Sequence, residues 1–337
     1  MKANKKCGLA LTVAFIVLFC MTGGAYAADF DGVLSTSIKN LPGNADVAGM
    51  GGADVGAPVD FTSPDPSTLG AGEETAFGFS GTCGYITGMN GRFCGGSVAA
   101  RLPLGTLQVS YSGGNSDSVF LPKEGVDFKI NRSNSATIQY GVKVAEKVFG
   151  SEDKVYAGVG VTPFSETRTT ILMGGTKLLK TDSSEYAFSF GTHYENKNFN
   201  AGAFYEYSHS SDTTKDLIAD EKVNEKSESH LFRTGASYKI VEGLMVIANY
   251  QYANVGGYVT NRIFGGAEVC PIESVCGYAG HNGSGFTGGI GIYPSDSWGM
   301  NLAYVDNLDK KLEAQIGKKP SVIMFSLYYL FQDKKGK

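Results

Sequence analysis

The chain has 337 residues, among them 46 Gly, 18 Tyr and 20 Phe, and a formal net charge of −4. That balance argues against a nucleic-acid partner, which calls for a basic surface. Abundant glycine and aromatic residues suit closely paired strands better than helices.

The chain opens MKANKKCGLALTVAFIVLFCMTGGAYA. Lys2, Lys5 and Lys6 form a basic start, Leu9 to Met21 a short apolar core, and Ala25-Tyr26-Ala27 a small-x-small cleavage site. Residues 1–27 therefore read as a secretory signal peptide, too short to be a membrane anchor of ~20 apolar residues. Phe19 is bulky where a lipoprotein site before Cys20 needs a small residue. Export from a bacterial cytoplasm is expected. Without this segment, 26 basic side chains face 33 acidic ones, a balance of −7. No later stretch is long and apolar enough for a membrane helix.

Residues 28–72 form a leader that includes ADVAGMGGADVGAPVDFTSPDPSTLG, Ala45 to Gly70. Its glycines permit close approach to a wall and turns with φ > 0. Pro58, Pro64 and Pro66 keep it out of a central strand position. A compact plug fits these properties, and so does a disordered leader. Gly49-Met50-Gly51-Gly52 is not a dinucleotide fingerprint, since no strand precedes it and no helix follows.

From about Glu73 the pattern alternates with period two. Tyr186, Phe188 and Phe190 oppose Ala187, Ser189, Gly191 and His193; Tyr205 and Tyr207 oppose Phe204, Glu206 and Ser208. Phe232, Thr234 and Tyr238 oppose Leu231, Arg233 and Ser237; Val246, Ala248 and Tyr250 oppose Met245, Ile247, Asn249 and Gln251. Such alternation yields about twelve strands over 73–331, joined in turn by long and short connections. The long ones are 88–94, 113–133, 164–183, 211–228, 259–283 and 307–319. This rhythm predicts an all-β fold, a transmembrane antiparallel β-barrel of the outer membrane with tight periplasmic turns and longer external loops. Lipid offers no partner for backbone polar groups, so every strand must pair and the sheet must close. Trp298, Tyr304, Tyr328, Tyr329 and Phe331 are expected in the interfacial aromatic girdle. Residues 332–337 read as a hydrophilic tail.

Four cysteines remain after the signal peptide, in two local pairs: Cys83/Cys94 and Cys270/Cys276. In an oxidising compartment these spacings favour two disulfides, in the first and fifth external loops, over a zinc site. No metal or cofactor is expected.

Arg101, Lys143, His193, Phe204, Glu206, Arg233, Asn249 and Gln251 are the candidate lumen residues. Charges on an inward face are general in such barrels and pair across strands; an apolar Phe204 there could contact a ligand or the leader.

Ala48-Gly49-Met50-Gly51-Gly52-Ala53, then Asp60, then Asp65-Pro66-Ser67 resemble the N-terminal region of the FadL-like barrels. That group includes long-chain fatty-acid and aromatic-hydrocarbon transporters and PorV-type relatives. The resemblance implies that Gly49 to Leu69 is a hatch inside the barrel, carried by Gly49, Met50, Gly51, Gly52, Asp60 and Pro66. It also implies fourteen strands where twelve are counted. By the same analogy the expected function is passive transport of a small apolar or amphipathic solute. Outer-membrane lipid and lipopolysaccharide are then the expected surroundings. A non-transport adaptor with envelope protein partners is the alternative. A further alternative is a lipid acyl hydrolase: His209 and Ser211, two apart and on the lipid side, resemble the His-x-Ser pair of outer-membrane phospholipases, with Glu228 a candidate third group.

Overall fold

The computed structural model describes residues 47–48, 50, 54, 65–71, 75–122, 125–150, 152–172 and 178–332. The expected signal peptide 1–27, the leader residues Gly49, Gly51, Gly52 and Asp60, and 333–337 of the tail lie outside the described residues.

The alternation is realised as fifteen strands: β1 (Thr75–Ile86), β2 (Gly91–Leu102), β3 (Gly105–Asn115), β4 (Val119–Leu121), β5 (Val126–Glu146), β6 (Lys154–Leu172), β7 (Leu178–Glu195), β8 (Phe199–Asp216), β9 (Lys222–Val241), β10 (Leu244–Val255), β11 (Tyr258–Ile272), β12 (Val275–His281), β13 (Phe286–Ser295), β14 (Trp298–Val305) and β15 (Val322–Gln332). Each pairs antiparallel with its neighbour, β1 pairs with β15, and β3 pairs directly with β5. The three-residue β4 pairs only with β5. Fourteen strands therefore form a closed ring, and β4 is a flap beside it.

Fourteen corrects the expected twelve. The missing pair is β11 and β12, which occupy the supposed loop 259–283. Gly265-Gly266 and the cysteines disguised them. Pro271, which has no N–H for the ladder, sits in a register break between Val269 and Ile272. Other supposed loops also shrink. Strands β6 and β7 run into 164–183, and β8 and β9 run into 211–228, leaving only 217–221 between them. Apolar alternation ends partway along these strands, but the hydrogen-bond ladder continues past it.

Outward positions carry Phe79, Val109, Val159, Phe188, Tyr205, Ile263, Leu302 and Phe325, all at least 40% exposed. So large an exposed apolar surface marks an interaction face in any protein; on a closed barrel it suits lipid. Inward positions are polar and buried, including Gln108, Gln139, Asn249, Gln251, Asn301 and Ser326. At the end carrying the chain termini, Phe79 stacks on Tyr329 at 5.6 Å, and Tyr329 meets Phe331 at 4.7 Å. Tyr328 departs from the expected girdle. Its neighbour Tyr329 faces out, so it shares the inward parity of Met324 and Ser326 and lies near Tyr293.

Both cysteine pairs are bonded, but neither occupies an external loop. Cys83 and Cys94 face each other across β1 and β2, within the wall. Cys270 and Cys276 flank the β11–β12 turn, which lies at the terminal end once the two extra strands are counted.

The far end is capped. The last long connection holds helix α1 (Lys310–Ile316), with Asp309 accepting from the N–H groups of Lys311 (2.7 Å) and Leu312 (3.3 Å). Gly317 ends it at φ 66°, the left-handed conformation glycine adopts without penalty. Leu312 and Ile316 pack on Met89, Val119, Leu121, Phe128 and Tyr258, and Arg262 holds Asp309 by an ion pair.

Peptide mapping of unreduced protein should recover Cys83–Cys94 and Cys270–Cys276 and no alkylated thiol in either pair. A cross-link such as Cys83–Cys270 would be incompatible with this register.

Candidate functional site

One row of mutually facing residues crosses the inner wall from β3 to β11: Thr106, Gly141, Gly158, Gly191, Phe204, Arg233, Gln251 and Arg262. Three consecutive glycines make a shallow groove in it, and the leader sits there. A side chain added at Gly141 or Gly158 would collide with the Pro66 carbonyl, and one at Gly191 with the Asp65 carboxylate. The turn holds itself in shape: Asp65 accepts from the Ser67 N–H (2.9 Å) and hydroxyl (2.7 Å), and the Thr68 hydroxyl donates to the Asp65 carbonyl (2.8 Å). Leu69 is fully buried.

The same leader meets the wall elsewhere. Arg233 donates to Asp54 at 2.8 Å and to Gln251 at 2.7 Å, while the Asn249 amide donates to Asp54 at 3.3 Å. Met50 packs with Met245, Ile247, Phe264 and Tyr278 and covers Gly266. Ala48 packs with Ala303, Val305, Val322 and Met324. From Ala48 to Leu69 the described leader residues thus touch β14–β15, β11, β9–β10 and β7–β5 in turn.

Electrostatics reinforce this seat unevenly. Asp54 and Arg233 are a buried, hydrogen-bonded ion pair, the arrangement that offsets desolvation of both charges. Burial pushes the Asp65 carboxyl up to about 7; the Ser67 hydrogen bonds oppose that rise, as Arg233 does, and the Asp54 charge adds to it.

Between this row and the capped end lies a chamber of about 630 Å³. Strands β1 to β5 line it with hydroxyls and amides, among them Ser80, Thr82, Ser110, Gln108 and Gln139. Strands β6 to β9 contribute Glu166, Arg168, Glu185, Glu206 and Asp212, and Leu308, Leu312, Met89 and Tyr258 border it at the cap.

Of the candidate lumen residues, Arg233, Asn249 and Gln251 converge on Asp54. Phe204 and Glu206 line the chamber. His193 is buried beside Tyr156, whose hydroxyl donates to Glu195 (2.9 Å), and lines no part of the chamber. Arg101 is exposed at the end of β2, and Lys143, half-buried, pairs with Glu146. Pro66 and Met50 of the leader motif touch the wall. Sequence reading named Asp65 only as part of the leader motif and missed Asp54 and the glycine row. The signal was three inward glycines on adjacent strands, visible only once register is known.

His209 lies opposite Glu228 with outward parity, but Glu228 is engaged by the Tyr207 hydroxyl. Among the described residues no hydrogen bond joins His209 to Ser211 or to Glu228.

The closed fourteen-stranded antiparallel barrel shares its fold with solved FadL-like outer-membrane transporters. The toluene transporter TbuX of Ralstonia pickettii superposes with a TM-score of 0.58 at 12% identity, covering 88% of this chain and 99% of that one. The toluene transporter TodX of Pseudomonas putida gives 0.55 at 12% identity, covering 86% and 97%. A FadL homologue from Pseudomonas aeruginosa gives 0.54 at 12% identity, covering 86% and 98%. No protein-family model and no curated protein sequence matches the chain.

Two outcomes are expected of the seat. Arg233→Ala leaves Asp54 buried without its guanidinium, which should weaken leader docking by on the order of 3–5 kcal/mol; adding Asp54→Ala should restore part of the loss. A double-mutant cycle on hydrogen-exchange protection of the leader reads this directly. Second, the docked Asp65 holds its proton up to about pH 7 and the undocked one only to about 4. Docking is therefore strongest below pH 4, weakens as pH rises to 7, and then levels off. Limited proteolysis of the leader should be faster at pH 8 than at pH 5, and Asp65→Asn should remove the difference.

Proposed function

We propose that the protein is an outer-membrane barrel for passive passage of a small apolar or amphipathic solute, with the leader as a luminal plug. The observation that carries this reading is the leader's seat on the Gly141–Gly158–Gly191 groove, directly below a chamber of ligand size. Chambers of roughly 300–1,000 Å³ are usual for small-molecule sites, and this one is about 630 Å³. Toluene transporters among the fold neighbours support an apolar component in the solute. In this reading both termini lie in the periplasm, the α1 cap faces outward, and the exposed apolar band meets outer-membrane lipid. The protruding ends of β8 and β9 reach the lipopolysaccharide layer.

Deleting residues 47–71 should leave a barrel that still inserts, because the strands close without that segment. Its conductance in planar bilayers should exceed that of the full chain. Unchanged conductance would remove the plug. Uptake of amphiphiles and aromatics by cells lacking the protein addresses transport itself; uptake equal to that of the parent strain across both classes would end the transport reading.

A further inference from the structure

Parallel to the leader's row, and two rungs nearer the cap, register brings a second row together. From β1 to β6 it reads Ser80, Ser97, Ser110, Thr137 and Thr162. Past Ala187 it continues through Ser208 and Ser229, and past Val255 it ends on Tyr258 beside the cap. Eight of these ten positions carry a hydroxyl and none a charge, and all but Ser208 line the chamber. Strands in a barrel tilt against its axis, so a row that crosses them squarely climbs the wall. This row leaves β1 at its sixth residue, toward the terminal end, and finishes on the first residue of β11, at the capped end. It is a ramp of hydroxyls running the length of the chamber.

These hydroxyls do not exhaust one another. Ser80 meets Ser97 at 2.7 Å, Thr137 meets Thr162 at 3.0 Å and, one row nearer the cap, Ser210 meets Ser227 at 2.6 Å. Each pair holds two O–H protons and uses one between its members, so one donor per pair is left for a third group.

A second observation points to an occupant. Two buried hydroxyls of the lining meet no partner among the described residues: Tyr258, 7% exposed, and Ser189, 8% exposed, whose oxygen a side chain at Gly160 would strike. Buried polar groups are hydrogen-bonded as a rule, so orphaned hydroxyls on a cavity wall call for a ligand with hydrogen-bonding groups of its own. Directly below Ser208 and Ser229, Phe204, Leu231 and Ala253 form an inward apolar patch. The guanidiniums deeper in the chamber are already bound to carboxylates, Arg168 between Asp212 (3.0 Å) and Glu166 (3.9 Å), and Arg233 to Asp54. An anionic head therefore finds no cation waiting for it there.

We propose that the chamber takes neutral amphiphiles bearing several hydroxyls, the hydroxylated head moving along the Ser80–Tyr258 ramp and the apolar body resting on Phe204 and Leu231. Its physiological meaning rests on the transport reading, but binding is measurable without it. Phenyl β-glucoside is the probe, and 2-phenoxytetrahydropyran has the same two rings without a hydroxyl. Benzyltrimethylammonium and benzenesulfonate carry the aromatic ring with either charge. Calorimetry on the full chain in an amine-oxide detergent should show the glucoside binding more tightly than both ions. Ser110→Ala/Thr137→Val, which keeps the shape of the wall, should weaken the glucoside about tenfold and leave 2-phenoxytetrahydropyran unchanged. Ser110→Thr/Thr137→Ser, which keeps both hydroxyls, should retain glucoside affinity. No glucoside binding, preference for either ion, or a loss that is absent, shared by both ring probes or equal in the two variants overturns the inference. Swelling of proteoliposomes in phenyl β-glucoside separates the two readings. Binding without swelling keeps the ramp and ends transport, whereas swelling equally fast in Ser110→Ala/Thr137→Val keeps transport and ends the ramp.

Discussion

On the outer-membrane reading, the organising constraint is the absence of hydrogen-bond partners in hydrocarbon. A strand edge left open in lipid costs several kcal/mol for each unpaired backbone group, so β1 must find β15 and β3 must bypass the short β4 to reach β5. Once the ring is closed, every residue faces one of two surroundings, and period-two alternation is imposed along the whole wall. Phe188 at 56% exposure and its neighbour Ser189 at 8% show the separation in consecutive residues.

Closure also creates the problem that the leader addresses. Fourteen strands enclose more space than inward side chains fill, since an eight-stranded barrel is already just wide enough to be packed by its own residues. The leader occupies part of the remainder, but a backbone segment brings polar groups that must be satisfied. The Asp65–Thr68 turn satisfies several internally, and its oxygens can approach the sheet because three adjoining positions lack a side chain. Arg233 and Asn249 supply the hydrogen bonds that Asp54 needs at the next point of contact. Groove and latch lie in one row of the wall, so a register slip would separate them.

The legible part of the fold was the part with an apolar outer face. Phe188, Tyr205, Phe232 and Val246 announce their strands because apolar side chains alternate with small or polar ones. Beyond the apolar layer both faces turn polar, and segments such as Thr213-Thr214-Lys215 read as loop although Thr213 still pairs with Asn224 across the ladder. Chamber residues such as Glu166 and Asp212 lie in those extensions, which is why Arg233 and Glu206 were found and these neighbours were not. The Cys270–Cys276 bond had the opposite fate. Its pairing was evident from spacing, but its end of the barrel depended on two strands hidden by Gly265, Gly266 and Pro271.

The polar chamber lies between two apolar clusters, and on the proposed transport reading that order bears on which solutes pass. Toward the cap lie Met89, Tyr258 and Leu312; toward the termini lies Met50 with Met245, Ile247 and Phe264. On that reading a strongly hydrated ion would lose its water against either cluster with nothing to replace it. A pure hydrocarbon would cross both easily but would gain little from the hydroxyl and carboxylate wall between them. On the proposed reading a molecule with a polar end and an apolar body fits this sequence of environments, its polar end meeting the hydroxyls of the chamber wall. The leader contributes Met50 to the inner cluster and Asp54 to the pair that neutralises Arg233. Its removal would therefore widen the passage and also return a positive charge to the chamber floor.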